Sequence, residues 1–318
     1  MDLDEILKNK KTAAITGHVR PDGDATGSCL ALYLYIRKNY PDTEVDVYLE
    51  ETDPAFYYLK GIDSVKHEQD DTKKYDVFFV LDCANIDRIK PFASAFQAAG
   101  IRACVDHHVS SEGDFAEYNK IEPDASSTCE VLYGILDKDK IDRDIAICLY
   151  TGLIHDTGVF KYESTSPETM VMAADLMKFG FDFTKIIDES FYARSFEAGK
   201  ALGIALDNAE YFCEGYGIYS FLTEKDLEKS GAGKQDLGGI VEQLRLTGGA
   251  ELAVFIYPAD GEKKISLRSK REVDVAAYAK SLNGGGHVRA AGFSSDKDYD
   301  EIIKDICIYA TECRKNKA

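Results

Sequence analysis

Short apolar runs alternate with longer stretches of helical periodicity through residues 1–190. The apolar runs are rich in β-branched and aromatic side chains, as is typical of parallel strands buried on both faces. These runs are Thr12–Thr16, Glu44–Leu49, Asp76–Leu81 and Ile101–Val105. The stretches with helical periodicity are Ala25–Asn39, Ser127–Asp137, Arg143–Ile154 and Pro167–Phe179. The alternation predicts a doubly wound α/β domain with a mainly parallel sheet.

The pattern changes in the second part of the chain. Phe183–Asn208 has a helical period and no strand-like run, which is typical of a connecting helix. Beyond it, turn residues at Glu214-Gly215 and Asp260-Gly261 indicate two hairpins. Further helices are predicted at Asp236–Leu246, Asp274–Leu282 and Tyr299–Arg314. We therefore expect a first domain over residues 1–188, a helical linker over 189–207 and a smaller α+β domain over 208–318.

Composition limits the classes of protein that fit this pattern. The 318 residues suffice for two domains, and no apolar run reaches the length of about 20 residues that a membrane span needs. The first residues are charged rather than apolar, so we expect a cytoplasmic protein without a secretory signal. The eight cysteines are then expected to be free thiols rather than disulfides. A net charge of −18 disfavours long duplex nucleic acid but permits small anionic ligands held by local cations.

Acidic residues and histidines stand at the ends of these apolar segments. They are His18, Asp22 and Asp24 in the first cluster, Asp82 in the second, Asp106-His107-His108 in the third and Asp156 in the fourth. Because the carboxyl ends of parallel strands form one ligand-binding edge, we expect these side chains to meet there. Clustered carboxylates repel each other unless cations intervene, and mixed oxygen and nitrogen ligands suit Mn²⁺. The sequence therefore predicts two divalent ions that activate water and neutralise a phosphoryl group.

Each cluster alone has a simpler interpretation. A pair such as Asp22 and Asp24 is common in turns, and a single strand-end residue such as Asp82 often caps the next helix. The pair His107-His108 could be polar surface, and we interpret the neighbouring His155 as structural. The occurrence of all the clusters in one chain, each after an apolar segment, favours the metal chemistry.

Four segments that contain these residues, taken in their order along the chain, resemble the motifs of the DHH phosphoesterase family. The matching segments read GHVRPDGDATGS, VLDCAN, VDHHVSS and GLIHDTGVFKYESTS. A glycine-rich histidine segment, GGGHVRAAG over Gly284–Gly292, is similar to the DHHA1 domain that one subgroup of the family carries. The resemblance spans nearly the whole chain and keeps the order of the domains.

The resemblance implies a role for each matching residue. It implies that His18 and Asp22 bind one metal ion, that Asp24, His107 and Asp156 bind the other, and that Asp82 bridges both. His108 resembles the residue that contacts the scissile phosphate, and Asp106 resembles a partner that orients an imidazole. The implied substrate-binding residues of the second domain are Arg268, Gly285, Gly286, His287 and Arg289. Without the resemblance, the glycines would indicate only a flexible turn after a helix.

Length and domain content resemble the nanoRNase branch of this family. The resemblance implies hydrolysis of short oligoribonucleotides and dinucleotides, together with removal of the 3′-phosphate from adenosine 3′,5′-bisphosphate. A hydroxide held between two Mn²⁺ ions would attack phosphorus in line. The resemblance also suggests a homodimer. Two alternatives stay open, a phosphatase for pyrophosphate or short polyphosphate and a non-catalytic nucleotide-binding protein.

Overall fold

The computed structural model describes residues 1–70, 72–111, 115–259 and 261–315. It divides into two compact units, Met1–Ala193 and Arg194–Ala318. Among the described residues, none of the helices combines the length and the apolar character that a membrane crossing requires.

The first unit is built around a parallel sheet. Its strands are β1 (Thr12–Thr16), β2 (Glu44–Tyr48), β3 (Val65–Lys66), β4 (Val77–Leu81), β5 (Ile101–Asp106) and β6 (Tyr118–Ile121). Its helices are α1 (Leu3–Leu7), α2 (Gly23–Asn39), α3 (Ala93–Ala98), α4 (Thr128–Ile135), α5 (Arg143–Asp156), α6 (Pro167–Met177) and α7 (Phe183–Ile186). The strand order is β3-β2-β1-β4-β5-β6, and every pairing in it is parallel.

The doubly wound α/β architecture predicted from the sequence is confirmed. Successive residues of the strands bury opposite faces: Ile15 and Phe79 pack in one hydrophobic cluster, while Ala14 and Phe78 pack in another. The edge strands β3 and β6 escaped prediction because they are short and only partly buried. The strand order reverses between β1 and β4, and in such sheets the crevice beyond the carboxyl ends at this point is where ligands bind.

Glycines let the helices behind this crevice pack closely. A Cβ atom at Gly27 of α2 would lie 2.5 Å from the carbonyl oxygen of Cys148 on α5. A Cβ atom at Gly152 of α5 would lie 2.3 Å from Cys129 Sγ and 2.7 Å from Asp24 Oδ1. Contacts this short are not tolerated, so both positions require a residue without a side chain.

The second unit is an α+β structure, as predicted. Its strands are β7 (Glu210–Phe212), β8 (Gly217–Phe221), β9 (Leu252–Ala259), β10 (Glu262–Ser269), β11 (Gly285–His287) and β12 (Ala290–Ser295). Its helices are α8 (Phe196–Asp207), α9 (Glu224–Ser230), α10 (Ile240–Leu246), α11 (Val275–Ser281) and α12 (Tyr299–Lys315). The strand order is β11-β12-β10-β9-β8-β7, with one parallel pairing, β8 with β9. Of the predicted turn Asp260-Gly261, Asp260 lies outside the described residues.

The helix α8 lies inside the second unit, although the whole of it falls in the linker that the sequence predicts over residues 189–207. Its residues Ala201 and Ala205 are fully buried in a hydrophobic cluster with Leu222 and Phe255. The structural division therefore falls between Ala193 and Arg194, ahead of this helix.

The expectation that all cysteines are free thiols was wrong for one pair. Cys213, in the turn between β7 and β8, forms a disulfide with Cys307 of α12 across 94 residues of sequence. The two residues are far apart in the chain, so only the packing of α12 beside this turn brings their Cα atoms to 5.7 Å. The other six cysteines are free, and five of them are buried.

We predict that Gly152→Ala destabilises the protein by about 1–3 kcal/mol, because the new methyl group overlaps Cys129 and Asp24. Gly134→Ala on α4 is the matched control, since no atom lies within 4 Å of its Cβ position. It should be neutral or stabilise by up to about 1 kcal/mol. Urea denaturation measures both variants, and equal unfolding midpoints would contradict the close packing described here.

Candidate metal centre

The predicted metal ligands are carried by the carboxyl ends of the central strands and by the helices that follow. His18 follows β1, and Asp82 follows β4 with a left-handed φ of 55°. Asp22 is the N-cap of α2, where its Oδ1 accepts hydrogen bonds from the backbone N–H groups of Asp24 and Ala25, both at 3.1 Å. The local structure thus fixes these side chains at the switch point of the sheet.

The structure brings the predicted ligands into overlapping sets. Within each set, the candidate ligand atoms lie within 4.8 Å of one another. The sets are His18 with Asp22 and Asp82, Asp24 with His107 and Asp156, and Asp82 with His107 and His108. The first two sets contain the residues that the family resemblance implies for the two ions, except that Asp82 joins the first set and not the second.

Asp82 lies between these sets and directs one oxygen to each side. Its Oδ2 lies 3.4 Å from His18 Nε2. Its Oδ1 lies 3.7 Å from His107 Nε2 and 3.6 Å from His108 Nδ1. A carboxylate whose two oxygens face two ligand sets has the geometry of a bridging ligand.

The imidazoles of His18 and His107 are oriented by backbone carbonyl groups. His18 Nδ1 donates to the carbonyl of Val19 at 2.9 Å, and His107 Nδ1 lies 3.3 Å from the carbonyl of Ala125. A carbonyl oxygen only accepts, so the proton of each neutral ring lies on Nδ1. The Nε2 lone pairs then face carboxylates, with Asp156 Oδ2 at 3.0 Å from His107 Nε2. This is the arrangement that orients histidine ligands of metals.

The electrostatics of the cluster call for additional positive charge. Burial lowers the pKa of His18, but hydrogen bonds to Asp22 and Asp82 outweigh it and raise this pKa to about 10. For His107, burial is similarly outweighed, chiefly by the hydrogen bond to Asp156, and its pKa rises to about 10. Burial and the charges of Asp82 and Asp156 raise the pKa of Asp24 well above its usual value. Bound protons thus supply charge that divalent cations would replace.

The donor set fits divalent cations. Carboxylate oxygens and imidazole nitrogens converge, and no cysteine belongs to any of the ligand sets found among the described residues. Such a set suits Mn²⁺ or a similar first-row ion rather than a thiolate-bound zinc.

His108 differs from the other two histidines of the site. Its Nδ1 lies 2.8 Å from Asp106 Oδ1, and Asp106 is fully buried. The hydrogen bond to Asp106 raises the pKa of His108 above its usual value. The contact with Asp106 thus holds the ring of His108 through its Nδ1.

The amino end of α4 holds Asp24, a contact that sequence reasoning missed. Asp24 Oδ2 accepts a hydrogen bond from the backbone N–H of Thr128 at 2.6 Å, and its Oδ1 accepts one from Cys129 at 2.9 Å. The hydroxyl of Thr128 donates to Asp82 Oδ1 at 3.0 Å. The one sequence signal here is the segment Ser127–Glu130, which resembles the start of a helix. It gives no sign of a partner more than 100 residues away.

His155 lies outside the ligand sets. Its ring packs between those of Phe56 and Phe191, with centroid distances of 4.9 and 5.3 Å. Burial lowers the pKa of His155 to about 4. A Cβ atom at Gly23 would lie 2.3 Å from this ring, so the imidazole braces the loop that carries Asp22 and Asp24.

Two of the predicted substrate-binding residues of the second unit, Arg268 and His287, lie on the same face of its sheet. Arg268 of β10 pairs with Ala290 of β12, which pairs in turn with His287 of β11. Directly paired residues point to the same face, so a short alanine separates a guanidinium from an imidazole. Arg289 stands just beyond β11, and its Nη1 donates to the carbonyl of Val273 at 2.9 Å.

Two of the glycines on β11 have different neighbours. A Cβ atom at Gly286 would lie 2.4 Å from the carbonyl oxygen of Ala290, and φ there is +140°, so the hairpin itself requires this glycine. At Gly285 a Cβ atom would meet nothing within 4 Å. Gly285 pairs with Gly292, which pairs with Ser266, so this row of the open face has bare backbone at two of its three positions. Packing explains Gly286 but not Gly285.

Comparison with known proteins finds a family match for a part of each unit. Residues 12–153 match the DHH family, N-terminal domain, and residues 214–312 match the DHHA1 domain. The chain is 26% identical over 311 residues to the bifunctional oligoribonuclease and PAP phosphatase NrnA of Bacillus subtilis, covering 96% of each protein. It is 29% identical over 296 residues to the probable bifunctional oligoribonuclease and PAP phosphatase NrnA of Streptococcus mutans, covering 91% of each.

A solved structure shares the fold of nearly the whole chain. The exopolyphosphatase-related protein of Bacteroides fragilis superimposes with a TM-score of 0.85 and 25% sequence identity. The alignment covers 98% of this chain and 94% of that protein.

We predict that Mn²⁺ stabilises Met1–Ala193 against unfolding, because the ion replaces carboxylate repulsion with attraction. At a free concentration 100 times its dissociation constant, an ion adds about 2.7 kcal/mol to the free energy of unfolding. Thermal denaturation of the full chain with Mn²⁺ or with chelator measures this shift. Asp82→Asn should abolish most of it, whereas Asp139→Asn, at an exposed position far in sequence from these ligands, should preserve it. An unchanged shift in Asp82→Asn would contradict the assignment of Asp82.

Proposed function

Because the chain carries the N-terminal domain of the DHH family followed by a DHHA1 domain, we propose that it is a metal-dependent phosphoesterase for short oligoribonucleotides and dinucleotides. Removal of the 3′-phosphate from adenosine 3′,5′-bisphosphate is the second proposed activity. The relatives from Bacillus subtilis and Streptococcus mutans, which this chain matches over more than nine-tenths of its length, are named for both activities. Manganese is the proposed ion because the ligands are carboxylates and imidazoles.

The position of Asp82 is the observation that carries this proposal. One oxygen faces His18 and Asp22, and the other faces the side of His107 and His108. Two ions that share one carboxylate lie close enough to act on the same phosphoryl group. This division of Asp82 between two ligand sets supports catalysis over nucleotide binding alone.

The residues of the site would act in separate roles. His18, Asp22 and Asp82 would hold one ion, while Asp24, His107, Asp156 and Asp82 would hold the other. When bound, the ions supply an activated water and neutralise charge on the phosphoryl group. His108, held by Asp106, would donate a proton to the leaving oxygen.

The open face of the second unit supports a nucleotide substrate over pyrophosphate. Arg268 and His287 flank Ala290 and would contact a terminal phosphate, with Arg289 nearby in the chain. The bare row that includes Gly285 would admit the sugar-phosphate backbone at short distance from the sheet. Pyrophosphate has no sugar or base that could contact this second row.

The first test compares three substrates at equal concentration with Mn²⁺: a 5′-phosphorylated RNA dinucleotide, adenosine 3′,5′-bisphosphate and pyrophosphate. We expect mononucleotide from the dinucleotide and phosphate from the bisphosphate, with pyrophosphate unchanged. Asp82→Ala should reduce every turnover to background, as should removal of divalent ions by chelation. Hydrolysis of pyrophosphate alone would instead assign the protein to pyrophosphate chemistry. Binding of the dinucleotide without turnover would indicate a non-catalytic protein.

We predict that Gly285→Ala weakens substrate use without loss of stability. Its methyl group would occupy the open face and displace the substrate backbone, so KM for the dinucleotide should rise about three- to tenfold, the equivalent of about one hydrogen bond. Gly203→Ala on α8 is the matched control, because its Cβ position also has no atom within 4 Å. Steady-state kinetics of both variants measures KM, and thermal denaturation measures their stability. An unchanged KM in Gly285→Ala would remove this residue from the substrate site.

A further inference from the structure

Thr128, the first residue of α4, contacts both ligand sets at once. It is fully buried. Its backbone N–H donates to Asp24 Oδ2 at 2.6 Å, and its hydroxyl donates to Asp82 Oδ1 at 3.0 Å. One residue outside the predicted ligands thus holds one oxygen of the shared carboxylate and one oxygen of a carboxylate in the second set.

The hydroxyl of Thr128 is not needed to begin the helix. The N-cap of α4 is Ser127, whose side chain accepts the backbone N–H of Glu130 at 3.1 Å. The orphan N–H groups of the first helical turn also find partners, since those of Thr128 and Cys129 donate to Asp24. The hydroxyl contact to Asp82 therefore adds nothing to helix capping, and its effect falls on the carboxylate.

Asp82 needs such a restraint. The last torsion of an aspartate side chain has a broad profile, so its carboxylate plane turns easily unless it is held. The proposed bridging role requires one oxygen toward His18 and the other toward His107. A hydrogen bond to Oδ1 alone distinguishes the two oxygens and fixes the plane between the two ligand sets.

We propose that Thr128 is a positioning residue that orients Asp82 and Asp24 together and thereby sets the spacing of the two ions. This inference rests on the proposed two-metal phosphoesterase function. The start of α4 would thus connect Asp24 and Asp82 through one hydroxyl and two backbone N–H groups.

The test uses the full chain with Thr128→Val, which keeps the shape and the backbone N–H but removes the hydroxyl. Isothermal titration calorimetry measures Mn²⁺ binding in the absence of substrate, and electron paramagnetic resonance measures the coupling between bound Mn²⁺ ions. We expect Mn²⁺ affinity and kcat to fall about 10- to 100-fold, as for other groups that orient metal ligands. The coupling should weaken, while KM for the RNA dinucleotide should change less than about threefold because Thr128 touches no substrate.

Two companion variants separate the hydroxyl from the fold. Thr128→Ser should restore affinity, coupling and kcat to within about threefold of the parent, since it keeps the donor. Thr26→Val on α2 is the matched control, because Thr26 is also fully buried but its hydroxyl has no hydrogen-bond partner among the described residues. It should behave as the parent does. Thr128→Ala replaces Thr128→Val with the same expectation if the valine variant does not fold.

The inference is overturned if a folded Thr128→Val or Thr128→Ala binds Mn²⁺ and turns over substrate within about threefold of the parent. It is also overturned if Thr128→Ser is as impaired as Thr128→Val, because packing of the methyl group would then be the cause. A parent protein that neither binds Mn²⁺ nor hydrolyses any of the three substrates contradicts the proposed function itself. A parent that does both, with an unaffected Thr128→Val, contradicts only the role of Thr128.

Discussion

Repulsion among carboxylates crowded at one edge of a sheet is the constraint on which the first unit depends. Asp24 and Asp82 are buried beyond the strands that meet at the switch point, and Asp156 lies beside His107. Burial of charges this close is costly unless each is hydrogen-bonded or paired. The surroundings therefore supply donors: backbone N–H groups to Asp22 and Asp24, and a hydroxyl to Asp82. The Nε2 atoms of His18 and His107 face the same carboxylates, so oxygen and nitrogen ligands converge on the positions proposed for the cations.

The packing of three helices follows from that requirement. The start of α2 carries Asp22 and Asp24, the end of α5 carries Asp156, and the start of α4 supplies donors to Asp24. These ends approach closely because Gly27 and Gly152 leave room for the neighbouring backbone and side chains. His155 braces the same loop through its contacts with Phe56, Phe191 and Gly23. The candidate ligands and the surrounding core are therefore packed against each other, so a substitution that shifts one is expected to shift the other.

The second unit meets a different physical requirement. Its sheet buries one face under α11 and α12, while the outer part of the other face stays open around Arg268, Ala290 and His287. Small residues at Gly285, Ala290 and Gly292 leave the backbone of this region uncovered by side chains. The disulfide between Cys213 and Cys307 ties α12 to the turn between β7 and β8 at the opposite edge of the sheet.

The sequence determined the architecture and the set of candidate ligands. Apolar runs of strand length and helical periods between them are local signals, and they predicted both folds and the chemistry beyond β1, β4 and β5. The family resemblance assigned metal-ligand roles to His18, Asp22, Asp24, Asp82, His107 and Asp156, and the structure places all six in sets whose candidate ligand atoms lie within 4.8 Å of one another. Local signals gave no account of the edge strands β3 and β6, whose pairing depends on neighbours distant in the chain.

Only the tertiary structure decided how those ligands are held. The contacts of Thr128 with Asp24 and Asp82 span 104 and 46 residues, and the disulfide spans 94. No local sequence signal shows that α8 belongs to the core of the second unit or that the space beside Gly285 is open. Burial and free volume depend on which other elements pack nearby. Residue type and spacing specify what a side chain can do. The partners that hold its oxygens and rings in place are set by the close packing of segments far apart in the chain.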